Sequence, residues 1–496
     1  MKILFLPLDE RPCNEAYPKM IALSNKDIEL CIPPFDLLPK KKTPANSKEL
    51  GEFLLDHAVD QDALVLSLDI LLYGGLIPSR LHYEDLPTLK QRIKVLETLK
   101  QRYPKLKIYA FECIMRCPRY DSSEEEPDYY ENYGYALFKK KYLEDKKARE
   151  GLDKQEEAEF TQLFIPQEII SDYETRRKVN YAMNEETLRL VEKGIIDFLV
   201  IPQDDSAPYG YTALDQKKIL KQIKDKHLEF KTMVYPGADE VGLSLMTRAY
   251  NEFSHRKPKI YPFYASVLGP TLVPLYEDRP MFESLKSHIL VTGATLVDDQ
   301  KEADYILAIN SPGKFMQEAY DQIKDVSYSS CRHLLQFVYR IQDELAKGKN
   351  VAVIDSAYAN GGDEELIYYL DELDLLDKIC GYAGWNTNCN TTGTVLAQMQ
   401  LGKENIENNL YHVIEDCFYQ ASVRQDVIHQ DLVELGLSYY DFKDQQDEVE
   451  KRIGSKLLAH YNQLKLSKKY PLASIEVNMP WKRMFEIGLK LKWGQD

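Results

Sequence analysis

Two adjacent carboxylates follow an apolar run in the middle of the chain and have the chemistry of an acid–base pair. The run 197–201 is followed by Pro202, Gln203 and then Asp204 and Asp205. Like charges this close raise the pKa of at least one carboxyl group, which a general acid near neutral pH requires. The alternative is that Asp205 or Ser206 caps a following helix, worth about 1 kcal/mol, which does not exclude catalysis by Asp204.

A second acidic pair, Asp239 and Glu240, follows the next apolar run, 231–235. Two carboxylates are the working groups of glycoside hydrolases, about 5 Å apart in retaining enzymes and about 6.5–9.5 Å apart in inverting ones. In substrate-assisted hexosaminidases, one acid of an adjacent pair orients the acetamide of the substrate and the other protonates the leaving group. We therefore predict that Asp204, Asp205, Asp239 and Glu240 are catalytic.

Polar and aromatic residues also follow the other apolar runs, and they could bind the hydroxyl groups and ring faces of a sugar. The guanidinium of Arg11 could hold a pair of oxygen atoms in a fixed geometry. The alternatives are a structural ion pair for residues 9–11 and ordinary turn chemistry for the loops around Asn360 and Asn386. The predicted substrate-binding residues are Asp9, Glu10, Arg11, Asp69, Tyr73, Arg80, Glu112, Tyr209, Asp355, Asn360, Trp385 and Asn386.

Histidine and cysteine contribute little to this pattern. None of the nine histidines follows a predicted strand, which weakens the case for Ser-His-Asp catalysis and for a zinc hydrolase. The eight cysteines include no C-x-x-C and are expected to be reduced. We predict neither a metal nor a cofactor, although an oxygen-only Mg²⁺ or Ca²⁺ site built from Asp9, Asp69, Asp204 or Asp239 stays open.

The elements that must position these residues are short apolar runs that alternate with helical patterns. Near-continuous apolar runs are typical of parallel strands that are covered on both faces. Seven of them precede residue 270, which fits either a (β/α)-barrel or a large doubly wound sheet, and both place the polar residues at the carboxyl ends of the strands. The runs are 2–6, 28–32, 63–68, 107–111, 197–201, 231–235 and 259–264.

The same patterns predict an α/β protein with three segments. Residues 1–285 form the barrel-like or large-sheet domain, with a helical insertion at 117–195. Residues 286–400 form a smaller, Rossmann-like α/β domain with strands at 287–292, 305–310, 350–355 and 379–383. Residues 401–496 are helical and end in a strand at 485–493 that pairs with 473–477, because apolar residues there occupy every second position.

Composition limits the classes of partner. The net charge of -16 repels phosphate backbones and argues against nucleic acid. No apolar run approaches the roughly 20 residues that span a bilayer, and the N-terminus lacks the pattern of a secretory signal, so we expect a soluble cytoplasmic protein without a membrane partner. We expect a small-molecule carbohydrate as substrate and leave a homo-oligomer open.

Several motifs taken together resemble the family of unknown function numbered 4127. They lie in residues 6–14, 73–76, 79–80, 202–205, 237–240 and 382–387 and read LPLDERPCN, YGGL, SR, PQDD, GADE and YAGWNT. The similarity runs from the first strand to near the end of the chain. It implies a bacterial protein of this size, and it implies no catalytic assignment.

The sequence therefore favours an intracellular carbohydrate-active hydrolase, a glycoside hydrolase that could be hexosaminidase-like. Asp204 and Asp205 would be the acid and its orienting partner, and Asp239 or Glu240 the second carboxylate. Two alternatives remain. One is a Mg²⁺-dependent hydrolase or lyase that uses the same carboxylates as ligands, and the other is a non-catalytic sugar-binding sensor.

Overall fold

The first six strands of the computed structural model form one parallel sheet. They are β1 (Lys2–Leu6), β2 (Glu29–Cys31), β3 (Ala63–Ser67), β4 (Lys107–Phe111), β5 (Phe198–Val200) and β6 (Thr232–Met233), in the order β2-β1-β3-β4-β5-β6. The central strands are buried because helices cover both faces of a parallel sheet. The structure describes residues 1–403 and 405–494, and within them β2 and β6 do not pair with each other. The sheet is therefore open, and the barrel alternative is not confirmed.

Five later strands form a second parallel sheet. The strands that follow are β7 (Lys259–Tyr264), β8 (Thr295–Leu296), β9 (Tyr305–Asn310), β10 (Gln317–Glu318), β11 (Asn350–Asp355), β12 (Tyr358–Ala359), β13 (Tyr382–Ala383), β14 (Leu472–Asn478) and β15 (Gly488–Trp493). The order in the second sheet is β13-β11-β9-β7-β8, and β10 pairs with β12. The predicted C-terminal pair is confirmed, since β14 and β15 are antiparallel.

Both sheets are doubly wound in the same way. With strands counted from the first in each sheet, both orders begin 2-1-3-4-5. In such sheets the direction of winding reverses between the first and third strands, and a crevice opens there at the carboxyl ends of the strands. This point lies between β1 and β3 in the first sheet and between β7 and β9 in the second.

Two predicted strands differ from the structure. Lys259–Tyr264, predicted as the seventh strand of the first series, pairs with Tyr305–Asn310 and Thr295–Leu296 in the second sheet. Residues 287–292, predicted as a strand, lie in and directly after the helix Met281–Val291. Its buried residues Met281, Leu285 and Ile289 are four apart, which is the spacing of one helical face, and the apolar run hid this period.

The helices connect and flank these strands. The predicted insertion is helical, with Tyr130–Arg149, Lys154–Gln162 and Gln167–Glu192. A continuous helical stretch over residues 406–435 contains two π-helical segments, Val413–Val423 and Val427–Asp431. The remaining helices are Pro12–Leu23, Phe35–Leu37, Ser47–His57, Leu68–Tyr73, Pro78–Leu81, Leu86–Arg102, Tyr211–Asp225, Val241–Phe253, Gly269–Thr271, Met281–Val291, Gln300–Glu302, Ser327–Ser330, Leu334–Ala346, Glu364–Glu372, Asn388–Leu401, Gln446–Tyr461 and Lys465–Lys468.

The chain divides into two compact units. The first unit comprises Met1–Glu10, Ile28–Leu245 and Tyr276–Asp278, and the second comprises Arg11–Asp27, Met246–Leu275 and Arg279–Asp496. Each unit has its own apolar core around its own sheet. Residues 404, 495 and 496 of the predicted C-terminal segment lie outside the described residues. In the part of the chain that the structure describes, no helix is long and apolar enough to cross a membrane.

Candidate active site

The acidic residues predicted for the first unit follow its parallel strands. Asp9 and Glu10 follow β1, Asp69 follows β3 in the helix Leu68–Tyr73, and Glu112 follows β4. The pair Asp204–Asp205 follows β5, and the pair Asp239–Glu240 follows β6. The carboxyl ends of parallel strands meet at one edge of a sheet, so these residues share the edge at which ligands bind in doubly wound folds.

Two buried arginines organise the centre of this edge. Arg80 donates to Asp204 Oδ2 at 2.6 Å and to Glu125 Oε2 at 3.0 Å. Arg116 donates to Asp205 Oδ2 at 3.1 Å and to the same Glu125 oxygen at 2.8 Å. Planar guanidinium groups that share a carboxylate fix the directions of all the carboxylates around them.

A fourth carboxylate, that of Glu126, completes this Arg80–Arg116 cluster. Glu126 is fully buried, and its Oε1 accepts hydrogen bonds from Arg116 Nε at 2.8 Å and from Arg80 Nη1 at 3.4 Å. Glu125 and Glu126 come from the loop that leads into the helical insertion. The sequence analysis missed both, because nothing local distinguishes them from the other acidic residues of the solvated segment 117–195.

The aspartate pair is more exposed than its arginine partners. The side chains of Asp204 and Asp205 are 18% and 23% exposed, whereas those of Arg80 and Arg116 are 2% and 10% exposed. Carboxylates that are paired with buried arginines and are also partly exposed to solvent can contact a ligand. The cluster has four carboxylates for two guanidinium groups, so one carboxylate can be protonated without leaving an arginine unpaired.

The electrostatic environment of Asp205 favours a proton on its carboxyl group. Burial raises the pKa of Asp205 to about 6, Arg116 opposes this rise, and the neighbouring Asp204 reinforces it. Its backbone has φ +47°, the left-handed region that few residues other than glycine adopt. Residues in such conformations cost free energy and cluster at functional sites.

Backbone hydrogen bonds hold the loop of the aspartate pair between its neighbours. Ile114 N donates to Pro202 O at 2.9 Å, and Gly237 N donates to Gln203 O at 3.0 Å. The loop therefore has a fixed position relative to the loops after β4 and β6. The predicted helix cap at Asp205 is absent, because the next helix begins at Tyr211 with Gly210 at its N-cap.

The second predicted pair lies on the loop after β6. Glu240 is fully buried, and its Oε2 accepts a hydrogen bond from Ala238 N at 3.1 Å. Gly237 has φ +151°, and a Cβ atom there would lie 2.0 Å from Glu240 Oε1, so only glycine allows this fold of the loop. Asp239 is 5% exposed. The catalytic role of this pair stays a prediction.

Two further acids lie deeper at the same edge. Burial raises the pKa of Asp69 to about 6, although Cys113 N donates to its Oδ2 at 3.0 Å. Burial raises the pKa of Glu112 to about 8, against the hydrogen bond from Thr187 Oγ1 at 2.6 Å. Glu112 Oε1 and the nearby Tyr73 hydroxyl have no hydrogen-bond partner among the described residues. At neutral pH, Glu112 is therefore a neutral carboxylic acid.

The proton on Glu112 makes stability depend on pH. Between about pH 4.5 and 8 the folded protein holds a proton that the unfolded chain has lost, so stability falls as pH rises through this range. We expect Glu112→Gln to remove this dependence. The free energy of unfolding of the variant, minus that of the unmodified protein, should then be about 3–5 kcal/mol larger at pH 8 than at pH 5. Urea unfolding at both pH values measures it.

The exposed Glu229→Gln is the matched control for Glu112→Gln and should leave the pH dependence unchanged. An equal effect of Glu112→Gln at the two pH values would mean that Glu112 is ionised in the folded protein throughout.

The aromatic residues predicted for the first unit are partly covered. The ring of Tyr73 stacks on His82, with centroids 4.5 Å apart, and is 4% exposed, so this face is closed to a ligand. Tyr209 lies edge-on to Tyr142 of the helical insertion, with ring centroids 5.1 Å apart, and Arg149 lies 5.3 Å from its ring. Tyr209 therefore belongs to the packing of the insertion.

The predicted residues of the second unit fall in two places. Arg11, Trp385 and Asn386 line one small cavity together with Tyr17 and Glu415. Trp385 packs edge-on against Tyr17, with centroids 5.7 Å apart, and its Nε1 donates to Thr394. This cavity joins residues that are as far apart in the chain as Arg11 and Ile487.

Asp355 lies in a buried network at the carboxyl end of β11. It accepts hydrogen bonds from Asn310 Nδ2 and the Tyr382 hydroxyl, both at 2.9 Å, and burial raises its pKa to about 7. Arg332 pairs with Asp363 at 2.6 Å beside it. Asn360, at φ +56°, donates to Glu318 instead.

Sequence reasoning also missed the buried acids of the π-helical segment. Asp416 Oδ2 accepts from Gly384 N at 2.8 Å and lies 2.8 Å from His412 Nδ1. Burial raises the pKa of Asp416 to about 7 and lowers that of His412 to about 4. The four-residue spacing of His412 and Asp416 was the one local signal that could have revealed the pair.

Over residues 1–403 and 405–494, no three His, Cys, Asp or Glu side chains form a group that could hold a metal ion. The donors of the Arg80–Arg116 cluster face guanidinium groups. A Mg²⁺ ion would therefore have to compete with those two arginines for the same oxygen atoms.

Comparison with known proteins identifies the family of this chain. The model of a family described as protein of unknown function, DUF4127, matches residues 3–490, nearly the whole chain. The resemblance drawn from the motifs is thus confirmed. No curated protein matches the chain.

Proposed function

We propose that this chain, which belongs to the DUF4127 family of proteins of unknown function, is a carbohydrate-active hydrolase, specifically a glycoside hydrolase. The observation that supports it is the partly exposed pair Asp204–Asp205, which is paired with two buried arginines. Burial raises the pKa of Asp205 to about 6, so Asp205 can hold a proton in slightly acidic solution, and Arg80 fixes Asp204. A proton donor beside an anchored carboxylate is the minimum that glycosidic cleavage requires.

In the proposed reaction Asp205 is the general acid. Its carboxyl proton moves to the glycosidic oxygen as the bond from that oxygen to the anomeric carbon breaks. Asp205, now ionised, accepts a proton from the water that attacks the anomeric carbon in the second step. The guanidinium of Arg116, 3.1 Å from Asp205 Oδ2, stabilises the ionised form between the two steps.

Adjacent acids on one loop favour the substrate-assisted form of this reaction. Asp204 cannot lie on the opposite side of the sugar ring from Asp205, so it is better placed to orient a substrate group than to attack as a nucleophile. In a hexosaminidase-like reaction, Asp204 accepts a hydrogen bond from the acetamide N–H while the acetamide oxygen attacks the anomeric carbon. The substrate would then be an N-acetylhexosaminide.

The test is a turnover screen of the purified protein against chromogenic glycosides, with and without EDTA. We expect release of the chromophore from N-acetylhexosaminides, unaffected by EDTA. Cleavage that EDTA abolishes would favour the Mg²⁺-dependent hydrolase instead. Binding of sugars without turnover of chromogenic or oligosaccharide substrates would overturn the hydrolase and leave a sugar-binding sensor.

A further inference from the structure

The small cavity in the second unit has features of a binding site in its own right. Apolar and aromatic side chains form most of its wall, and a few polar groups converge on it. Its volume of about 20 Å³ holds one water-sized group. The residues that line it are Arg11, Pro12, Cys13, Tyr17, Trp385, Asn386, Glu415, Gln420, Phe485, Glu486 and Ile487.

One polar atom of this cavity lacks a partner. Gln420 Nε2 donates to Glu415 Oε1 and to the backbone oxygen of Phe485, each at 2.8 Å. These two bonds fix the orientation of the amide. Gln420 Oε1 accepts no hydrogen bond among the described residues, although Gln420 is only 5% exposed. A buried acceptor in this state costs about 1–3 kcal/mol, which a ligand with a hydrogen-bond donor would recover.

The neighbouring acid favours its neutral form. Burial, reinforced by the adjacent Asp416, raises the pKa of Glu415 well above its ordinary value. The carboxyl group of Glu415 and the amide of Gln420 are groups that can form hydrogen bonds with the hydroxyls of a sugar.

The charged groups in and near the cavity exclude two kinds of ligand. The guanidinium carbons of Arg11 and Arg483 lie 4.7 Å and 4.6 Å from the ring centroid of Trp481. Arg483 also pairs with Glu486 at 2.8 Å. An ammonium group in the cavity would lie beside Arg11 and be repelled, and a carboxylate has no proton to donate to Gln420 Oε1. A neutral hydroxyl group is compatible with both features, because it can donate a hydrogen bond to Gln420 Oε1 and can accept one from an arginine.

The backbone of this region is also unusual. Glu415 and Gln420 lie on the π-helical segment Val413–Val423, eleven residues long. A π-helix is rare and is found frequently at functional sites. Asn386, another residue that lines the cavity, has φ +52°. Unusual backbone conformations of this kind cluster at functional sites.

We propose that this cavity is a subsite that receives one hydroxyl or hydroxymethyl group of a neutral sugar, with the hydroxyl donating to Gln420 Oε1. The inference rests on the proposed function for its substrate class, and it assigns to Gln420 and Glu415 a binding role. The aromatic rings of Tyr17, Trp385 and Phe485 provide the apolar surface around the hydroxyl.

The experiment is titration calorimetry of the full chain with neutral monosaccharides and two charged relatives. The neutral sugars are D-glucose, D-galactose, D-mannose and N-acetyl-D-glucosamine, and the charged relatives are D-glucosamine and D-glucuronate. We expect at least one neutral sugar to bind, more tightly than either charged sugar. Gln420→Leu should weaken that binding about five- to tenfold. The exposed Gln463→Leu is the matched control and should leave it unchanged.

A second measurement begins with the unmodified protein, so its first result does not depend on the folding of a variant. The monodeoxy derivatives of the sugar that binds are titrated into the unmodified protein. We expect one derivative to bind about five- to tenfold more weakly than the parent sugar. In Gln420→Leu, that derivative and the parent sugar should bind with equal affinity. Binding by no neutral sugar, equal affinity in Gln420→Leu, or equal affinity of all deoxy derivatives would each overturn the subsite.

The two proposals fail separately. Sugar binding that depends on Gln420, in a protein that cleaves no glycoside, leaves the subsite standing and removes the hydrolase. Glycoside cleavage by a protein whose sugar binding is the same in Gln420→Leu as in the unmodified protein removes the subsite and leaves the hydrolase.

Discussion

Asp205→Asn is expected to lower kcat on glycosides by about 10²–10⁴-fold, the usual contribution of a general acid. Asparagine keeps the size of the side chain and cannot give a proton to the leaving oxygen. The change also removes one of four carboxylates around two guanidinium groups, so both arginines keep ionised partners. We therefore expect the fold to survive and the chemistry to fail.

The pH profile separates this role from a structural one. With a pKa of about 6, Asp205 is protonated below this pH, so activity of the unmodified protein should fall as pH rises above about 6. Asp205→Asn should lose this descending limb. The variant should also retain a larger fraction of the activity of the unmodified protein on glycosides with dinitrophenol leaving groups than on glycosides with alkyl leaving groups. Dinitrophenolate leaves without being protonated, so it does not need the general acid.

The exposed Asp225→Asn, on a helix of the same unit, is the control and should retain full activity. An active Asp205→Asn variant with an unchanged pH profile would remove Asp205 from the reaction. The proton donor would then have to be sought elsewhere at the same edge, where Asp69 also has a pKa of about 6.

Arg80→Met is expected to lower the free energy of unfolding of the first unit by about 3–5 kcal/mol. Arg80 is 2% exposed and pairs with Asp204, Glu125 and Glu126. Glu126 is fully buried, so loss of Arg80 leaves part of its charge without compensation in a region of low dielectric constant. Methionine fills much of the volume of the arginine side chain, so the loss of stability reflects the missing positive charge and not a cavity.

The loss in Arg80→Met should depend on pH in a stated direction. Burial already raises the pKa of Glu126, and removal of Arg80 raises it further. An acid whose pKa is raised in the folded state costs stability above that pKa, so the variant should recover part of its stability as pH falls from 8 to 5. Urea unfolding at the two pH values measures this recovery.

The control for Arg80→Met is Arg102→Met, at an exposed position near the end of a helix in the same unit. It should cost less than about 1 kcal/mol. A similarly small loss in Arg80→Met would mean that Arg116 alone compensates the carboxylates of the cluster.

The sequence by itself determined the class of the fold and the edge at which the acids lie. Parallel strands buried on both faces require uninterrupted apolar runs, and the polar residues that end each run, such as Asp69, Glu112 and Asp204, must then lie at the carboxyl edge. The motifs also determined the family. The C-terminal strand pair, β14 and β15, could also be predicted from local sequence, because apolar residues at every second position are typical of a strand with one buried face.

Only the tertiary structure decided which strands are neighbours and which charges meet. An apolar run does not indicate which strand it pairs with, so the sequence could not distinguish an open sheet from a barrel. For the same reason Lys259–Tyr264 was wrongly predicted as a strand of the first sheet, whereas it belongs to the second. Arg116, Glu125, Glu126 and Gln420 look like surface residues locally. Their burial and their partners depend on contacts between distant segments, and it is burial that raises the pKa of Asp205 and leaves Gln420 Oε1 without a donor.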